Sequence, residues 1–211
     1  KMHKDAFHMT YSWGMHHVMN SIAKGEMNVD SIDAFLVKDR SKFQPKDFRL
    51  QFTSNHDENS WNGTVYERFG DGAKAYAVFA ATIQGMPLLY GGMEAGLNKR
   101  LRFFDKDTVD WSDLPLEDFY TTLFKFKKEN EALWNGEYGG PSERINVSNK
   151  VYAFKREKNG NQVVVIINLS NEKQMVTLNA NAPKGVFNNP FGDKMELNEN
   201  VVTFGEDVGF E

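Results

Sequence analysis

The sequence has no cysteine. That excludes disulfides and thiolate metal sites but leaves the compartment open, because many exported bacterial proteins also lack cysteine. No run of ~18 or more apolar residues occurs, so no membrane-spanning helix is expected. A basic excess is missing as well. The 25 Lys and Arg are outnumbered by 29 Asp and Glu, giving a net charge of -4, and this removes the electrostatic case for nucleic acid or an anionic membrane surface. A neutral or polar small substrate is easier to accommodate. Internal repeats and low-complexity tracts are also absent. What is present is 40% hydrophobic and 13% aromatic content in 211 residues, enough for a sizeable core in one large domain or two smaller ones. The opening "KMHKDAFHMTYSWG" reads neither as a signal peptide nor as a natural start and is expected to be an internal cut.

Periodicity divides the chain in two. Apolar spacing predicts a helix from Trp13 to Ala23 with a stop at Gly25, and a second helix over "DSIDAFLVKDRSKF" with Asp30 as its N-cap. Pro45 breaks the pattern, and "FRLQFT" reads as a short strand. After a polar loop, Asp71 and Gly72 introduce the alanine-rich helix "AKAYAVFAATIQ", closed by Gly85, and "MPLLY" follows as a strand opening into Gly91 and Gly92. Strand, helix, strand implies parallel pairing. A further helix is expected across "LEDFYTTLFKFKKENEAL", with Phe119, Phe124 and Phe126 in the core and "KFKK" on its solvated face.

Beyond Trp134 the texture becomes β-rich. "KVYAFKRE" and "QVVVIINLS" flank an Asn159-Gly160 turn, the second run suiting a strand buried on both faces, and "KQMVTLN" and "NVVTFG" continue the pattern. The expected organisation is an α/β region at 1–135 and an antiparallel β domain at 136–211, divided near Gly136 to Gly140.

Chemistry concentrates in "FTSNHDEN", Phe52 to Asn59, at the C-terminal end of the first predicted strand. In parallel α/β folds that edge carries catalytic and binding side chains, since helices cover the other surfaces. A carboxylate accepting two hydrogen bonds, beside an imidazole that donates and accepts, suits sugar hydroxyls. On the residues alone a second reading stands beside it, in which Asn55 and Asp57 cap the loop and His56 is an ordinary half-buried ring. His16-His17 lacks a third ligand at zinc spacing, and "GGMEAG" lacks both phosphate-binding fingerprints.

The ordered set "FTSNHDEN", "GMPLLYGGMEAGL", "VDW", "FYTTLFKFKKENEAL" and "VYAFKRE" with "VVVIINLS" resembles the C-terminal part of the α-amylase family, glycoside hydrolase family 13. The resemblance covers nearly the whole chain. It implies α/β plus all-β architecture: the last strands of a partial (β/α)₈ TIM barrel, then an antiparallel β-sandwich. It also implies retaining cleavage of α-glucosidic bonds in starch or maltooligosaccharides. Alternatives are a glucosyl transferase or isomerase of the same family, or a non-catalytic carbohydrate-binding relative. Carried over by residue, Asp57 matches the carboxylate that stabilises the transition state, His56 and Asn55 match the neighbours that bind the sugar, Trp61 offers a stacking face, and Glu94 matches a supporting acidic residue. Where the family often has arginine shortly after Asn-His-Asp, this chain reads "ENSWNG", and Met93 stands where glutamine is commoner. The family's nucleophile and general acid fall upstream of Lys1, so the chain is expected to be an inactive piece of an enzyme. Calcium sites of the family draw on upstream loops, and no cofactor or metal is assigned to this chain. The ending "DVGFE" stands where another strand is usual. Unpaired barrel edges lead to an expectation of self-association.

Overall fold

The computed structural model describes residue 3, residues 6–197 and residues 201–204, the last as backbone only. Much of the "KMHKDA" opening and the whole "DVGFE" ending lie outside the described residues. The first region is built on a parallel sheet in the order β1 (Met9–Tyr11), β2 (Phe48–Phe52), β3 (Met86–Leu88), with Met9 opposite Phe48 and Leu50 opposite Met86. Strand β1 has only three residues, too few to show an alternating pattern in the sequence. Between the strands run helices α1 (Trp13–Ala23), α2 (Asp30–Arg40), α3 (Val65–Phe69) and α4 (Ala73–Thr82), and after them α5 (Glu117–Glu129).

Two local expectations need correction. Asp30 is the first helical residue of α2, not its cap, because Asn28 Oδ1 accepts the Asp30 N–H at 2.9 Å while the buried Val29 enters the core. The polar loop after β2 is structured: a π-helical turn at Glu58–Asn62 precedes α3, which opens with a capping box between Thr64 and Glu67. Gly85 does close the α4 segment, and for a steric reason. Its φ is +124°, and a Cβ there would sit 2.3 Å from the Arg49 carbonyl oxygen.

The second region is antiparallel. Strands β4 (Ser142–Arg144), β5 (Val151–Lys158) and β6 (Asn161–Asn168) form one sheet, β7 (Gln174–Thr177) pairs with β10 (Val201–Phe204), and β8 (Gly185–Phe187) with β9 (Met195–Leu197). The β5–β6 hairpin turns through Asn159 and Gly160, both at positive φ (50° and 81°), which matches the right-handed twist of the flanking strands. Strand β6 is covered on both faces, as its unbroken apolar run implies. Val163, Val165 and Ile167 join one core cluster, and Val164 and Ile166 pack against another.

The first cluster ignores the proposed boundary at Gly136. It runs from Met15 and Met19 of α1 through Phe79 of α4 and Leu123 of α5 to Tyr152 and Phe154 of β5. Arg156 ties the same parts together. It is 1% exposed, and its guanidinium donates to Gly140 O (2.8 Å), Thr82 O (2.9 Å), Ile83 O and Leu133 O (both 3.3 Å), and Trp134 O (2.9 Å). These are carbonyls left over where helices end, so a cation there meets the negative ends of their dipoles.

Lys127 joins this cluster, against the expectation that all of "KFKK" is solvated. It is 8% exposed and donates to Leu133 O at 2.7 Å, with burial and then the Arg156 charge pulling its pKa down to about 7. The unfolded lysine titrates near ~10.4. Between the two values the unfolded chain binds the extra proton, so this group makes stability rise with pH from about 7 upward and leaves it flat below. Lys127→Met is expected to remove that rise, read as the difference between wild-type and variant urea midpoints from pH 6 to 10. Arg156→Met strands several buried carbonyls and is expected to destabilise the fold by about 3 kcal/mol or more. Urea unfolding at neutral pH measures it.

Candidate functional site

Strand β2 stops at Phe52, but the chain stays buried through Thr53, Ser54 and Asn55. Its carbonyls therefore need donors from elsewhere. His16 Nδ1 donates to Phe52 O at 3.1 Å, and Arg68 Nη2 donates to Thr53 O at 2.7 Å. Asn55 then starts the next turn: its Oδ1 accepts the Glu58 N–H at 2.8 Å, and its carbonyl accepts the Asn59 N–H at 2.9 Å. The side chain of Asn55 thus faces inward at 2% exposure, while His56 and Asp57, on the turn it caps, face solvent at 62% and 43%. His56 Nε2 lies 3.5 Å from Asp57 Oδ1.

Directly after this pair the chain turns inward again. The buried Glu58 carboxylate sits 2.9 Å from His16 Nε2 through Oε2, accepts from Asn62 Nδ2 at 2.9 Å through Oε1, and lies 4.0 Å from Arg68 Nη1. Burial alone would raise the Glu58 pKa. The His16 contact, the Asn62 hydrogen bond and the Arg68 charge outweigh it and hold the carboxyl below the usual range. Burial draws the Arg68 guanidinium down to about 10, which leaves it charged at neutral pH. Arg68 also donates to Gly63 O at 3.0 Å and Asn20 Oδ1 at 3.2 Å. His16 is stacked on Phe52, with ring centroids 4.4 Å apart, whereas the adjacent His17 is exposed. The histidine pair is therefore divided between interior and surface.

A second loop, following β3, is stitched to the first. Asn59 donates to Lys99 O at 3.1 Å and accepts from Leu101 N at 2.8 Å. Thr64 donates to Asn98 Oδ1 at 2.8 Å, and Arg100 makes a two-pronged contact with Glu67, whose carboxyl is pulled down to about 2 chiefly by that bond. Lys99 Nζ and the Arg102 N–H both reach Asp107 and keep it well below the usual carboxylate range.

This clamped loop presents Phe103 and Phe104 beside Trp61. The Trp61 and Phe103 centroids are 5.2 Å apart, Trp61 and Phe104 6.2 Å, and His56 stacks on Phe103 at 5.9 Å. Trp61 is 57% and Phe104 84% exposed. His56, Asp57 and Trp61 thus share one surface with two aromatic residues that the sequence reading passed over. Their available signal was the adjacent pair in the charged stretch "RLRFFDKD". Glu94 is turned to its own loop, its Oε2 accepting the Gly92 N–H at 3.2 Å. Among the described residues no three His, Cys, Asp or Glu are grouped to hold a metal ion, and no helix is long and apolar enough to cross a membrane.

The fold as a whole superposes on solved amylases. A maltogenic α-amylase from Thermotoga neapolitana superposes with a TM-score of 0.81 over 98% of this chain and 50% of that one at 17% identity. An α-amylase from Lactobacillus plantarum gives 0.77 over 95% and 46%, also at 17% identity. Among curated proteins, α-amylase 2 of Dictyoglomus thermophilum is 26% identical over 144 residues, 62% of this chain and 24% of that protein. Cyclomaltodextrinase of Thermoanaerobacter pseudethanolicus is 24% identical over 175 residues, 77% of this chain and 28% of that protein. No protein-family model matches the chain. Over most of its length this chain is similar to enzymes of the α-amylase family, which are glycoside hydrolases, and it spans about a quarter of the curated relatives it matches.

Asn59 is the joint between the two loops. Asn59→Ala is expected to destabilise the protein by about 1–3 kcal/mol, since the Lys99 carbonyl and Leu101 amide lose their partner. Amide exchange at Leu101 should then quicken by roughly tenfold or more, while β5 and β6 stay protected.

Proposed function

We propose that this chain is the C-terminal part of a retaining, α-glucan-active glycoside hydrolase of the α-amylase type, and that it supplies sugar-binding and transition-state contacts, not the bond-breaking pair. The observation that carries this reading is the solvent-facing His56–Asp57 pair, held on a buried turn at the C-terminal end of β2 and bordered by aromatic rings. In this reading β1, β2 and β3 are consecutive strands of a (β/α)₈ barrel over 1–135, and 136–211 form the β-sandwich domain.

Asp57 accepts hydrogen bonds from two hydroxyls of the ring at the cleavage site. Its negative charge favours the flattened, oxocarbenium-like sugar over the relaxed one, so the contact strengthens as the bond breaks. His56 donates to the same ring. Trp61, with Phe103 and Phe104, offers apolar faces to the C–H surfaces of neighbouring glucose units. Asn55 acts from below, fixing the turn that aims the pair.

Retaining hydrolysis also needs a nucleophile and an acid about 5 to 5.5 Å apart on either side of the scissile bond. The two acidic side chains that follow Asp57 are committed elsewhere, Glu58 to His16 and Glu67 to Arg100. Both reacting carboxylates are assigned to upstream strands of the full-length protein.

Two outcomes follow. In the full-length enzyme, Asp57→Asn should lower kcat by about 10³-fold with starch binding nearly unchanged, because the lost contact is made in the transition state. Near-normal kcat would remove Asp57 from the mechanism. The 211-residue chain alone should release no reducing sugar from starch. Heat-labile release by the purified chain would place a complete catalytic pair within it and overturn the division of labour.

A further inference from the structure

The polar hub beneath the site is more than the fold requires. Three of its members are almost wholly buried: His16 at 1% exposure, Glu58 at 7%, and the Arg68 side chain at 6%. The Phe52 and Thr53 carbonyls account for the imidazole and the guanidinium but not for the Glu58 carboxylate, whose burial carries an ionic desolvation cost. The hub also sits where geometry matters most. Glu58 is the residue after Asp57, and its carboxylate reaches His16, which in turn holds the last carbonyl of β2.

With His16 Nδ1–H donating to Phe52 O, Nε2 lies 3.0 Å from Asn20 Nδ2 as well as 2.9 Å from Glu58 Oε2, and the carboxylate contact requires a proton on one of its two atoms. A shared proton fixes both the imidazole plane and the height of the carboxylate. Asn62 and Arg68 fix the carboxylate from two other directions. The turn carrying His56 and Asp57 is therefore pinned at both ends, by Asn55 at its start and by Glu58 at its close.

We propose that Glu58 is a positioning residue for the sugar-binding pair, its buried carboxylate setting the height and pitch of the turn that presents His56 and Asp57 to an α-glucan. This rests on the sugar-binding role proposed for that pair. It assigns Glu58 no contact with substrate and no proton transfer. What matters is the shape and hydrogen bonding of the side chain, so the isosteric amide, which can donate to a neutral His16 Nε2 and accept from Asn62, preserves the function.

The test uses four variants of the full-length enzyme, with amide exchange and steady-state kinetics on maltooligosaccharides. Glu58→Ala should speed exchange at the Glu58 and Asn59 amides by about tenfold or more and lower kcat by about 100-fold, with KM within about threefold, as expected for misplacement of reacting groups. Glu58→Gln should stay within about threefold of wild type in both readouts. Val165→Ala, which loosens the β6 core at a distance, should lower the melting temperature and leave kcat unchanged. Where Glu58→Ala does not fold, His16→Gln, which keeps one of the two hydrogen bonds, should lower kcat by about tenfold or more.

A folded Glu58→Ala or His16→Gln protein with wild-type kcat overturns the proposal. So does failure of Glu58→Gln to restore activity, which would give the charge a direct role. Asp57→Asn is run alongside. If it is fully active, the sugar-binding reading fails, and unchanged exchange in Glu58→Ala is then the separate result that refutes the positioning.

Discussion

Where β2 ends, its backbone does not reach solvent, and the rest of the site depends on how that is solved. Past the last ladder pair, the carbonyls of Phe52 and Thr53 point into a space closed by α1 and α3. A buried acceptor without a donor costs about 1–3 kcal/mol. Each carbonyl here is met by a side chain from a different helix, His16 from α1 and Arg68 from α3. Bringing a guanidinium inside creates a need for negative charge nearby, and Glu58, which also contacts the imidazole, meets it. The turn bearing His56 and Asp57 follows from that chain of requirements. Its outward side is free for chemistry because its inward side is tied down through Asn55 Oδ1 and the Glu58 carboxylate.

Arg156 solves the same problem at the junction of the two regions without any carboxylate. Its donors are spread over carbonyls at the end of α4, at the 3₁₀ turn after α5 and at Gly140. Dipoles of helix ends take the place of a counter-ion. Burial lowers the Arg156 pKa to about 10, still far enough above neutrality to keep the guanidinium protonated, while the neighbouring Lys127 falls to about 7. Arginine suits this place because its planar fork serves several acceptors at once, and its proton is harder to remove than that of lysine. The β5–β6 hairpin is thereby held against the α/β region by polar contacts as well as by Tyr152 and Phe154. A side chain at Gly140 would end this arrangement, since its Cβ would lie 2.1 Å from Glu157 O.

Long periodic elements were legible in the sequence. Trp13–Ala23 matches α1 at both ends, the Asn159-Gly160 turn is in place, and β2 and β3 pair in parallel as the strand-helix-strand order requires. What escaped was decided by tertiary context. Strand β1 is too short for a pattern, and Lys127 looks like any surface lysine until the fold buries it against the Leu133 carbonyl, near Arg156. His16 was weighed as a metal ligand because adjacent histidines suggest coordination, yet besides Asn20 one helical turn on, its ring meets Phe52 and Glu58, 36 and 42 residues away. Local spacing carries no trace of such a contact. The site's outward half, His56, Asp57 and Trp61, was readable because it occupies one short stretch. Phe103 and Phe104 join it only through the Asn59 clamp, which no linear reading displays.

In the proposed function, this placement favours Asp57 over its acidic neighbours as the residue that meets a sugar. Of the carboxylates on and beside the two loops, three are held by partners that define structure: Glu58 by His16 and Arg68, Glu67 by Arg100, and Asp107 by Lys99 and Arg102. Each of those would have to break an existing contact to meet a ligand. Among the described residues, Asp57 meets His56, at a distance long enough for both to turn outward. A ring hydroxyl placed between them would accept from the imidazole and donate to the carboxylate, replacing a weak contact with two better ones. The exposed Trp61 ring adds a limit on direction, since a sugar lying flat on it would present its hydroxyl edge sideways. In the proposed reading, orientation comes from the rings and polarity from the pair, with the buried hub keeping the two in register.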